Sequence, residues 1–187
     1  SLHLAVMLFG IAGVLGQFVT APAVIVAGGR VICSVVLLAI FSVVSKSQVR
    51  LKVRKDYAIV VFAGIVLAIH WTTFFQSIQS SSVAIGTITF STFPLFLTFL
   101  EPVIFRERIR IGSILGAAVL MLGVSSPFLS FNGKSDNYRD LLGMVSSLSY
   151  AVLTLANRYL SGRYVARTIC LYEQGTAAIV LLPAFFL

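Results

Sequence analysis

The residues with chemistry to offer lie inside apolar stretches. His70 and Trp71 stand late in one run, with Phe74 and Phe75 a turn further on. His70, Phe74 and Ser77 share one helical face by their i, i+4, i+7 spacing. A histidine in a cavity can accept or pass a proton, and aromatic rings can stack on a flat or cationic solute. Trp71 has a second reading, as part of the aromatic belt at an outer membrane interface. Arg30 sits about seven residues into another run, roughly 10 Å deep at ~1.5 Å per residue. An arginine at that depth costs at least about 2.5 kcal/mol unless it is paired, faces water or snorkels. Either it lines a cavity mouth and attracts an anionic group, or it reaches the headgroups past a helix start frayed by Gly28 and Gly29.

A second group lies toward the ends of the runs. Glu101-Pro102 follows Pro94 by about two turns, and each proline removes a helix hydrogen bond, so this segment is a candidate for bending and gating. Glu101 either pairs with Arg106 or Arg108 or carries a coupling proton, and Glu107 is a structural partner in the same charged turn. Glu173 and Gln174, early in the last run, face either a cavity or the inner interface. Thr87, Thr89, Ser146, Ser149 and Tyr150 can hydrogen-bond a solute or their own helix carbonyls. Gly112 and Gly116 form a GxxxG pair, and Gly10, Gly13 and Gly16 line the first run. Such residues let helices approach closely, within one chain or at a homodimer seam.

Helices across a bilayer must position these residues. The chain of 187 residues is 58% hydrophobic and 11% charged, with a mean hydropathy of +1.01. A water-facing domain carries about 25% charged residues. Seven apolar runs recur at about 2–19, 23–44, 57–76, 83–105, 109–130, 139–160 and 168–187, each near the ~20 residues that cross a hydrocarbon core. Lipid leaves no water to satisfy backbone groups, so the runs must be helices. The expected fold is therefore an all-α, polytopic membrane bundle, with the lipid bilayer as its surroundings.

Eleven of the fourteen basic residues fall after runs two, four and six: Lys46, Arg50, Lys52, Arg54 and Lys55; Arg106, Arg108 and Arg110; Arg158, Arg163 and Arg167. The alternate loops hold Lys134 and Arg139, offset by Asp136 and Asp140. The positive-inside rule places the even loops and the N-terminus in the cytoplasm. The net charge of +8 is spread over short loops rather than one face, which argues against a nucleic-acid partner. The two cysteines, Cys33 and Cys170, read as small apolar fillers.

No enzyme is expected. The only histidine besides His70 is His3, too few for a metal cluster, and no GxSxG, Walker A or dinucleotide fingerprint is present. Neither metal nor cofactor is expected. Run seven lacks a lysine for a retinal Schiff base. Apolar residues begin at Leu2 without an initiator Met and continue to Leu187, so the chain reads as a piece of a longer protein.

Runs one and six share small residues early and a polar residue late. Five spans per unit is odd, so a unit restarting at run six is inverted in the membrane, a recurring plan of secondary transporters. On that plan residues 1–130 are a first five-helix repeat and 131–187 the start of a second. Several segments carry a resemblance: GGRVICSVVLL around Arg30, HWTTFFQSIQSSSVAIGTITFSTFPLF across runs three and four, RERIRIGSILGAAVLMLGV with its Glu107-Arg108 pair, and DLLGMVSSLSYAVLTLANRYL. Together they resemble the EamA type of the drug/metabolite transporter superfamily. The resemblance implies a ten-helix transporter of two inverted halves around a central cavity for a small organic metabolite, such as an amino acid or drug-like compound, often exported. It implies a multi-pass place in the cell membrane, with a bacterial inner membrane expected. Candidate substrate-binding residues are then Arg30, His70, Trp71, Phe74, Thr89 and Tyr150, and candidate coupling or gating residues are Pro94, Glu101 and Glu173. The alternative is an integral membrane protein with a structural or assembly role.

Overall fold

The computed structural model describes residues 18–46, 49–108, 111–130 and 137–186, with His3, Met7 and Ile11. The expected first run, with Gly10, Gly13 and Gly16, lies almost wholly outside them, as do Arg110, Lys134 and Asp136. The described chain is helical: α1 (Ala23–Val44), α2 (Arg54–Ser80), α3 (Val83–Phe90), α4 (Phe93–Phe105), α5 (Ile111–Ser130), α6 (Asn137–Ser161) and α7 (Ala166–Leu181), ending in a 3-10 turn, Leu182–Phe185.

Four stretches among the described residues are long and apolar enough to cross a membrane: Ala23–Val44, Arg54–Ser80, Val83–Phe105 and Ala166–Phe185. The apolar described part of α5, Ile111–Gly123, is shorter. α6 is a helix of 25 residues, yet it is more polar than the seven-run count assumed. It can be so because it lies along α2 and touches α3 and α4, burying Ser146 and Ser147 among helices rather than in lipid. The exterior is apolar instead. Val36, Leu37, Ile40, Phe41, Val43 and Val44 of α1 and Ile111, Leu115, Val119 and Leu122 of α5 are all exposed, the pattern of helices solvated by lipid.

α2 is the central element, packed against α1, α3, α6 and α7. Its buried side chains Ala63, Leu67, Trp71, Phe74, Phe75 and Ile78 form the core with Ala27 and Val31 of α1 and Ala177 and Leu181 of α7. Glycines permit the approach, Gly64 and Gly143 among them. A Cβ on Gly64 would fall against Thr176 and 2.7 Å from the Glu173 carbonyl, and one on Gly143 of α6 would collide with Thr89. Gly112 and Gly116, expected as packing residues, have nothing within 4 Å of such a Cβ; they face outward.

The fourth apolar run is not one helix. It breaks at Ser91-Thr92 into α3 and α4. Pro94 lacks the N–H that would bond the Phe90 carbonyl, so α3 ends there. Pro94 then occupies the first turn of α4, where no N–H is needed. It starts a helix rather than kinking one, which refines the expectation above. Hydroxyls satisfy carbonyls around the break. Thr87 donates to Val83, Ser91 to Thr87 and Thr92 to Thr89, at 2.6–2.7 Å. Irregular backbone at this depth is tolerated where protein covers it.

Candidate functional site

The break places two rings, Phe90 and Phe93, against α2 and α6. They stack at 5.4 Å between centroids, and Tyr150 of α6 meets both edge-on at 5.1 and 4.9 Å. His70 of α2 closes the group, 5.3 Å from Phe90, 5.1 Å from Tyr150 and 6.0 Å from Phe74. The face anticipated from spacing is intact: His70, Phe74 and Ser77 are all buried.

His70 is 1% exposed and fixed by Ser146. Its Nδ1 lies 3.0 Å from the Ser146 carbonyl oxygen and 2.9 Å from the Ser146 hydroxyl. A carbonyl only accepts, so Nδ1 carries the proton and Nε2 is left as an acceptor. The Ser146 hydroxyl donates to the His70 carbonyl at 3.3 Å. Among the described residues Nε2 has no hydrogen-bond partner. A buried acceptor without a partner costs about 1–3 kcal/mol, and it is the group a solute with an N–H or O–H would satisfy.

Trp71 is 6% exposed, facing the bundle rather than forming an outward belt. The Arg30 guanidinium lies 3.9 Å over its ring, so Arg30 is half-buried against an aromatic face beside the His70 group. This contact offsets part of the cost of an arginine within a span. Thr89 is buried, but its hydroxyl donates to Ile85 at 2.5 Å, its own helix. Thr92 reaches the Ser147 hydroxyl at 2.8 Å, tying the break to α6.

Glu101 and Glu173 lie apart from this group. Glu101 pairs with Arg158 of α6, not with Arg106 or Arg108, and Glu107 joins the same guanidinium at 2.7 Å. Arg158 is the partner that sequence spacing did not reveal. Glu173 is 4% exposed and accepts from Asn157 at 3.5 Å, between α6 and α7. Gln174 is likewise turned inward, with its Oε1 buried. Cys33 and Cys170 are free and exposed.

The basic turns gather at one end of the bundle. Arg163 meets the buried Asp56 at 3.2 Å. The Tyr164 hydroxyl donates to Asp56 at 2.7 Å and accepts from the backbone N–H groups of Lys52 and Val53. The Arg158 pairs bring the turn after α4 to the same end. At the opposite end Gln79 donates to the Ala21 carbonyl at 3.0 Å.

Lipid-facing helices, a broken span and a buried aromatic group define a multi-pass helical membrane protein. Residues 2–126 match the model of the EamA-like transporter family, about two-thirds of the chain, and the chain belongs to that family of membrane transporters. No curated protein and no solved structure matches it.

Proposed function

We propose that the protein is a secondary transporter that moves a small organic metabolite, of amino-acid or drug-like kind, out of the cell by alternating access. The observation that carries this reading is the broken fourth span. Discontinuous helices near the bilayer midplane are where such transporters hold cargo, and here the break is lined by Phe90, Phe93, Tyr150 and the open Nε2 of His70. His70, Phe74 and Tyr150 hold the cargo's flat part, and Arg30, carried on Trp71, receives an anionic group. Thr89 supports the site through its helix. Pro94 sets the break, and Glu101 and Glu173 act in gating or coupling. The gathered basic turns support a cytoplasmic N-terminus by the positive-inside rule, and five apolar runs per unit support an inverted second unit in a ten-helix whole; the cell membrane is the place proposed for it, a bacterial inner membrane by the family reading.

The test is flux in vesicles reconstituted with the full-length protein, over a panel of amino acids and aromatic or drug-like solutes, with and without a proton gradient. Saturable movement of at least one solute supports the reading. Absence of flux across the panel, in correctly inserted protein, favours a structural or assembly role.

A further inference from the structure

Two polar links hold the basic end of α6, and they differ in kind. The first joins Arg163 and Tyr164 to Asp56, which is wholly buried and tied by Tyr164 to the backbone before α2. Breaking it would strand a buried carboxylate, so it is a fixed joint. The second is the Arg158 clamp. Its guanidinium donates to Glu101 and Glu107 and lies 4.4 Å over the Phe105 ring. Arg158, Glu101 and Glu107 have side chains 39%, 40% and 49% exposed. Exposed ion pairs each shift an equilibrium by no more than roughly fivefold, so this clamp can open and reclose.

Position gives the clamp a task. It borders a cavity of about 220 Å³ lined also by Thr98, Arg108 and Ser113. Both glutamates ride on α4 and the turn after it. α4 hangs from the break at Ser91-Thr92, and its first residue, Phe93, packs on Tyr150 in the aromatic group. With the break tied to α6 through Thr92 and Ser147, a swing of α4 about it would carry the far end, with Glu101 and Glu107, away from Arg158 and part the clamp.

We propose that Arg158 is a gating residue: its pairs with Glu101 and Glu107 hold α4 on α6 and close the path between the basic end and the aromatic site. This rests on the transporter reading above.

The test uses the full-length protein with Cys33 and Cys170 changed to Ser and Thr98→Cys introduced in the cavity wall. A membrane-impermeant maleimide is applied from the basic side in inverted membrane vesicles. Arg158→Ala raises the labelling rate roughly tenfold, equivalent to about 1.4 kcal/mol, and Arg158→Lys raises it less. An unchanged rate in normally inserted Arg158→Ala overturns the gate. If that variant does not insert, the Glu101→Gln/Glu107→Gln double variant removes the same pairs, and the same rise or its absence decides. Labelling needs no cargo. Flux with unchanged labelling defeats the gate alone, and increased labelling without flux defeats the transport reading alone.

Discussion

Nε2 of His70 is the atom on which the proposed site turns. Ser146 consumes Nδ1 and leaves Nε2 as a buried acceptor. Ser146→Ala removes the hydroxyl contact but keeps the carbonyl contact, so stability should fall by only about 1 kcal/mol, read from thermal unfolding in detergent, with flux largely retained. Arg30→Lys keeps the charge but loses the planar stack on Trp71, since an ammonium does not match a guanidinium there. Flux of an anionic solute should fall while insertion is normal, as measured by uptake and membrane yield. The sequence made the His70, Phe74, Ser77 face legible because helical spacing is local. It did not reveal Ser146, 76 residues away, or Arg158 as the partner of Glu101, 57 residues away. Pairing at such distances depends on which helices become neighbours, and a single chain's periodicity is silent on that.

At the scale of elements, the second to seventh runs were readable as helices from length and apolarity, while the break in the fourth was not. Residues 83–105 form one continuous apolar stretch, and only Pro94 hints that α3 stops at Phe90. Which glycines pack within the chain was hidden for a related reason. GxxxG spacing says that Gly112 and Gly116 can pack, not against what; within the described chain the close contacts belong to Gly28, Gly64, Gly86 and Gly143. Gly64→Ala should destabilise the bundle by about 1–3 kcal/mol, because the added carbon meets the Glu173 backbone as well as Thr176. Gly112→Ala should stay within about 0.5 kcal/mol, with open space before it. Paired unfolding curves of the two variants check this.

Across the described residues, the basic turns lie together at one end and the outer helix faces are apolar. The turns after α1, α4 and α6 meet at one end through Asp56, Arg158, Arg163 and Tyr164. Labelling of Lys46→Cys from the cytoplasm and of Gln79→Cys from outside should each proceed only from that side, in a background without Cys33 and Cys170. Family membership was legible because it rests on the order of several weak segments over much of the chain. Cargo was not, because aromatic rings and one open acceptor define a shape and a polarity rather than a compound. The most direct test of a cargo site at the broken span is flux through the full-length protein carrying His70→Ala, beside wild type and a lipid-facing control, Phe41→Ala. The account predicts at least about a tenfold loss of rate in His70→Ala at normal membrane yield, with Phe41→Ala unaffected. Wild-type flux in a correctly inserted His70→Ala protein would contradict it.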